Sequence, residues 1–102
     1  MPQVLKTDEF DAWLRKLRDQ MAANRILNRI VRMGQGNLGD VKPVGEGISE
    51  ARIDYGPGYR LYFGSRGDEL ILLLIGGDKT TQDKDIATAK RLWKTWKDLS
   101  NG

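Results

Sequence analysis

Two arginines in the middle of the chain stand where strand geometry would let them act together. Ile48 to Tyr55 alternates, with Ile48, Glu50, Arg52 and Asp54 on one side and Ser49, Ala51, Ile53 and Tyr55 on the other. Gly56-Pro57-Gly58 reads as a turn, because glycine permits positive φ and proline pre-sets its own. Tyr59 to Gly64 is then the returning strand, in which Arg60 and Tyr62 share a face. A guanidinium carries a fork of donors that matches phosphate oxygens two at a time, and it stays charged at any accessible pH. Alternation alone favours a plainer outcome, a solvated sheet face on which the arginines pair with Glu50 and Asp54. The chain has no histidine and no cysteine. That removes the usual general base and the commonest metal ligand, and with them thiolate metal sites and any disulfide framework.

A net charge of +3 mildly favours an anionic partner. Its distribution says more than its sum. Between Ile86 and Lys97 lie Lys90, Arg91, Lys94 and Lys97 and no acidic residue, and Arg25, Arg29 and Arg32 form a second basic series. Such a series either contacts RNA or is the wet side of a helix.

The elements that must position these groups follow from periodicity. Phe10, Trp13, Leu14, Leu17 and Met21 recur at helical spacing with Asp8 as N-cap. Ile26, Leu27, Ile30, Val31 and Met33 form a second apolar stripe ending at Gly34, so the two segments predict an antiparallel helical hairpin broken near Gln20 to Asn24. Gly34 to Gly47 has a loop composition that encloses one short strand around Val41 to Val44. The stretch Gly34 to Gly39 fits G-x-G-x-x-G, but it follows a helix instead of joining a strand to one, which argues against a dinucleotide site. After an Arg66-Gly67-Asp68 turn, Glu69 to Ile75 is so continuously apolar that both its faces must be covered, as in a central strand. Thr80 and Asp83 have capping-box spacing, and Ile86, Ala89, Trp93 and Trp96 form a stripe for the sheet or a partner.

The expectation is a single α+β domain spanning residues 1–102, with an N-terminal helical hairpin, an antiparallel sheet of three to four strands and a C-terminal helix. The 39% hydrophobic content suffices for one core, stabilised by a narrow margin. The first twenty residues mix charges with apolar positions, and the longest apolar run, Leu70 to Ile75, is far short of the roughly 20 residues a membrane span needs. The chain therefore reads as soluble and cytoplasmic, with no membrane partner.

Ser49 to Phe63, with its Arg52-Ile53-Asp54-Tyr55-Gly56-Pro57-Gly58-Tyr59-Arg60 core, followed by Gly76-Gly77-Asp78-Lys79-Thr80-Thr81-Gln82-Asp83, resembles the RelE/ParE superfamily of addiction-module toxins, most nearly its HigB-like branch. The resemblance extends over nearly the whole chain, including Phe10 to Leu14 and the helical hairpin. It implies a RelE-like fold and a metal-independent endoribonuclease that cuts messenger RNA on the ribosome without a cofactor. It also implies a cognate helix-turn-helix antitoxin as partner. In the resembling ribonucleases basic residues at equivalent strand positions line a concave face, which assigns Arg52 and Arg60 to the phosphate. Lys79 becomes the leading acid, with Asp78 or Tyr55 as alternative proton-transfer groups. Tyr62, Arg25, Arg29 and Arg32 are the candidate RNA-binding set, although Tyr62 serves equally as sheet packing, and packing is the favoured role for Tyr55 and Tyr59. Relatives that use a histidine differ from this chain, and its absence implies slow or strictly ribosome-dependent chemistry. ParE-like members with the same fold poison DNA gyrase, so that activity remains an alternative, as does a non-catalytic nucleic-acid-binding module.

Overall fold

The structure, a computed structural model, describes residues 1–100. The chain opens with a short strand, β1 (Gln3–Lys6), followed by helices α1 (Asp8–Arg15) and α2 (Gln20–Gly34). Strands β2 (Val41–Gly45), β3 (Ile48–Ile53), β4 (Tyr59–Arg66) and β5 (Leu70–Asp78) come next. A 3₁₀ turn over Lys79–Thr81 then leads into α3 (Gln82–Ser100). The five strands form one sheet in the order β1-β5-β4-β3-β2. β2 to β5 pair antiparallel, whereas β1 lies parallel to β5 with Gln3 opposite Leu70 and Lys6 opposite Leu73.

The α+β class is as expected, but the sheet has five strands and is mixed, and a strand precedes the helical hairpin. β1 escaped notice because it is four residues long and only Val4 is half-buried, too little for a period of two to register. The break between the helices comes earlier than periodicity suggests. Asp19 caps α2, its carboxylate accepting from the backbone N–H groups of Met21 at 2.9 Å and Ala22 at 3.2 Å. The cap of α1 is Thr7 and not Asp8: its Oγ1 accepts from Phe10 N at 3.0 Å and donates to Leu74 O at 2.6 Å, which pins the helix start to β5. Asp8, Glu9 and Asp11 instead fill the first turn, where they favour the helix dipole. At α3, Asp78 caps the 3₁₀ turn in place of the Thr80 and Asp83 pair.

Both faces of the sheet are covered, which accounts for the apolar run in β5. On one face α1 and α2 bury Phe10, Ile26 and Met33 against Ala51, Ile53, Leu61, Phe63, Ile71 and Leu73. On the other, Ala89 and Trp93 of α3 pack on Ile48, Tyr62, Leu72 and Leu74. Glycine lets the helices sit this close. A Cβ at Gly76 would lie 2.2 Å from the Trp13 ring, and one at Gly64 would lie 2.6 Å from the Trp93 ring. No described helix is long and apolar enough to cross a membrane.

Candidate phosphate-binding cleft

Strand register brings the two arginines together. Arg52 of β3 stands directly opposite Arg60 of β4, and two pairs further along the ladder, on the same face, Glu50 stands opposite Tyr62. Like charges opposed across a ladder repel, so the Arg52 and Arg60 pair is a cost that the local carboxylates must offset. Arg52 Nη2 lies 3.3 Å from Asp40 Oδ1, an exposed pair. Arg60 Nε lies 3.7 Å from Glu50 Oε1 in a far drier place, its side chain 12% exposed and that of Glu50 1%. The plain expectation of a solvated face paired to Glu50 and Asp54 is thus half right. Glu50 does pair, but it is buried, and the partner of Arg52 is Asp40.

Where β3 ends and β4 begins, Arg52, Arg60 and Asp40, without Glu50, line a cleft of about 320 Å³. Its walls carry Arg52, Arg60 and Lys79 against the carboxylates of Asp40 and Asp54, with Gly56 and Gly58 from the turn. Gly58 has φ +82° and would, with a Cβ, come within 3.2 Å of the Lys79 stem, so the turn needs glycine for its backbone and for the lysine's passage. The Nε atoms of Arg52 and Arg60 are buried without a hydrogen-bond partner. Unmet donors of this kind mark the cleft as a place where charge is held at a cost in stability.

The remaining candidate residues fall elsewhere. Asp78 lies beside the cleft's lysine, but its Oδ1 accepts from Thr80 N at 2.8 Å and Thr80 Oγ1 at 2.6 Å, bonds that hold its pKa below the usual carboxylate value. A carboxylate occupied as a cap and kept ionised is a poor proton donor. Tyr55 packs beside the α1/α2 core, outside the cleft lining. Its hydroxyl donates to Asp19 Oδ2 at 3.1 Å, and Arg25 stacks 4.6 Å from its ring centre. Burial first and Asp19 second push its pKa up.

Two members of the RNA-binding set require correction. Tyr62 is 0% exposed beneath α3, so it cannot stack on a base; it is core. Its hydroxyl has no hydrogen-bond partner, and burial, followed by the Glu50 carboxylate, pushes its pKa well up. Arg29 is 6% exposed and serves the fold. Its Nε donates to Leu38 O at 2.8 Å, Nη1 to Arg52 O at 2.9 Å and Nη2 to Asp40 O at 2.8 Å. One fork thus ties α2 to the backbone of both residues of the exposed cleft pair, and burial pushes its pKa down. Gly39, at φ +72°, makes room, since a Cβ there would lie 2.8 Å from the guanidinium carbon. Arg25 and Arg32 remain on the exposed side of α2.

The signal for Arg29 was present in the sequence. Ala22, Ile26, Arg29 and Met33, the buried positions of α2, follow the spacing i, i+4, i+7 and i+11 of one face. Gln82 and Asp85 escaped sequence reasoning, and so did the burial of Glu50, which alternation places on a solvated face. Glu50 lies in the same alternation as Arg52, and only the lid formed by α3 makes that face dry. Gln82 Nε2 donates to Glu50 Oε2 at 2.7 Å, and Asp85, buried over Gly77, accepts from Thr81 Oγ1 at 2.5 Å.

The chain matches no protein-family model. A protein of Haemophilus influenzae (strain ATCC 51907 / DSM 11121 / KW20 / Rd), described as an uncharacterized protein, is 51% identical to it over 90 residues, a stretch covering 88% of this chain and 91% of that one. Identity at that level over nearly the full length of both proteins means that the chain belongs to the same family as this Haemophilus influenzae protein.

Proposed function

We propose that the chain is the toxin of a toxin–antitoxin pair, a RelE-type, HigB-like endoribonuclease of the cytoplasm that cuts messenger RNA on the ribosome. The observation that carries the reading is the convergence of Arg52, Arg60 and Lys79 on one cleft, with the two arginines directly opposed across β3 and β4. In the reaction a ribose 2′-OH attacks the adjacent phosphate. The 2′-O–P bond forms, the P–O5′ bond breaks, and a cyclic phosphate and a 5′-OH result. Negative charge gathers on the phosphoryl oxygens, and cations already in place lower the barrier because they need not reorganise. Arg52 and Arg60 take that role, and Lys79 gives the proton to the leaving 5′-oxygen. With Asp78 occupied as a cap and Tyr55 outside the cleft, the 2′-OH proton passes to solvent water, and solvent returns a proton to Lys79 after the 5′-OH has left. The ribosome supplies the alignment of the 2′-OH with the phosphate. The cognate helix-turn-helix antitoxin holds the toxin inactive.

The test is primer extension on a translated reporter after induced expression in bacteria, comparing the chain with an Arg52→Ala, Arg60→Ala, Lys79→Ala variant. Discrete cuts within codons, lost in the variant, are expected. Growth arrest with intact messenger and blocked DNA synthesis would replace this reading with gyrase inhibition.

A further inference from the structure

Glu50 is an unusual residue to find at 1% exposure. It has one hydrogen bond, from Gln82, and one cation, Arg60, at 3.7 Å, which is beyond hydrogen-bond range. The Tyr62 hydroxyl and Arg60 Nε lie buried and unpartnered in the same cluster. As a stabilising device this is poor, because an apolar residue of similar volume serves a buried position as well or better. Glu50 is also absent from the lining of the cleft, so it does not reach a ligand there. It does reach the one cleft arginine that lies mostly inside the protein. The terminal nitrogens of Arg60 make no hydrogen bond to any described residue, and Arg60 itself lines the cleft. Gln82, which holds Glu50, follows the third cation of the cleft, Lys79, by three residues.

We infer that Glu50, held by Gln82, is a positioning residue: its charge, 3.7 Å from Arg60 Nε, draws that side of the guanidinium beneath α3 and leaves the terminal nitrogens set for a phosphate in the cleft. This rests on the reading of the cleft as a phosphate site. Arg52, paired to an exposed Asp40, has no such support and adjusts to the ligand. The carboxylate gives Arg60 direction more than it gives the fold stability, and Gln82 ties that direction to the start of α3, next to Lys79.

The experiment follows the Arg60 Nε–Hε signal in NMR spectra of the full chain during titration with inorganic phosphate. Glu50→Gln is expected to speed proton exchange at that signal and to weaken phosphate binding about tenfold or more, since small misplacements of an aligning group have large effects. Glu50→Asp should restore part of both. In an Arg60→Lys background, Glu50→Gln should cost nothing further, which a general loosening of the fold would not reproduce. Unchanged exchange and affinity in a folded Glu50→Gln protein would overturn the inference. Should Glu50→Gln fail to fold, Gln82→Ala decides, with a smaller loss in the same direction expected and no loss overturning the proposal. Failure of the nuclease reading looks different: messenger stays intact with the unaltered chain, while Glu50 variants still perturb Arg60.

Discussion

The two faces of the sheet solve the same problem differently. Under α1 and α2 the core is apolar, and the buried cation it holds, Arg29, has each of its three nitrogens on a backbone carbonyl. Under α3 the core is apolar around Leu72, Leu74 and Trp93, but towards the start of the helix it becomes a wedge of Glu50, Arg60, Tyr62, Gln82 and Asp85 with unmet donors. The first arrangement satisfies buried polar groups and so rigidifies; the second leaves some of them short of partners, which a sequence selected for stability alone would avoid. The poorly satisfied wedge borders the cleft, and the well satisfied fork stands behind it. A firm scaffold on one side of the sheet thus stands behind costly buried charge on the other.

The sharpest way to break this contrast is Arg29→Met. Three backbone carbonyls lose a charged donor together, so urea unfolding should show a loss of about 3–5 kcal/mol. Arg29→Lys should recover little, because an ammonium cannot serve three carbonyls in a fork. A loss below about 1 kcal/mol would mean that the fork is ornamental and the contrast between faces false.

Next in size are the glycines that admit a tryptophan on each face. Gly76→Ala drives a methyl into Trp13 and Gly64→Ala drives one into Trp93, and each should cost about 1–3 kcal/mol in denaturant titration. Much the smaller loss at Gly64 would show the α3 side to be the looser of the two.

Tyr62→Phe sharpens the comparison through pH. The folded protein holds the Tyr62 hydroxyl protonated to higher pH than the unfolded chain does. Its effect is therefore absent below the ordinary tyrosine value near pH 10, and stability falls by about 1.4 kcal/mol per pH unit above it. Tyr62→Phe should remove that alkaline fall and, having no hydrogen bond to lose, stay within about 1 kcal/mol of the parent at pH 7. A Tyr62→Phe protein that still loses stability as steeply above pH 10 would move the cause elsewhere.

The smallest effect on stability belongs to Arg52→Ala. Its pair with Asp40 is exposed, so the fold should lose about 0.5 kcal/mol or less, while messenger cutting should fall about 100-fold or more. Stability measured by urea and cutting measured by primer extension should therefore separate at this residue, in contrast to Arg29, where both should fall.

Much of the fold was legible because period, turn chemistry and apolar runs are local. The 48–55 alternation, the Gly56-Pro57-Gly58 turn, the covered strand in β5 and the amphipathic C-terminal helix all follow from near neighbours in sequence. Such signals fail where an element is short or a face is mixed. β1 was invisible at four residues. Arg29 falls with Arg25 and Arg32 in one basic series, although its spacing matches Ala22, Ile26 and Met33.

Residue types and strand alternation by themselves settled that Arg52 and Arg60 occur on facing strands beside a glycine-rich turn, with neither histidine nor cysteine in the chain. Only the tertiary structure decided which charges are dry. Burial is a property of what lies across a face, and α3, which begins more than thirty residues after Glu50, turned a strand face with wet-looking charges into the mostly buried wedge that holds Arg60. The same holds for Tyr62, moved from a stacking candidate to the core, and for Arg29, whose three carbonyl partners come together only when α2 meets the start of β2 and the end of β3.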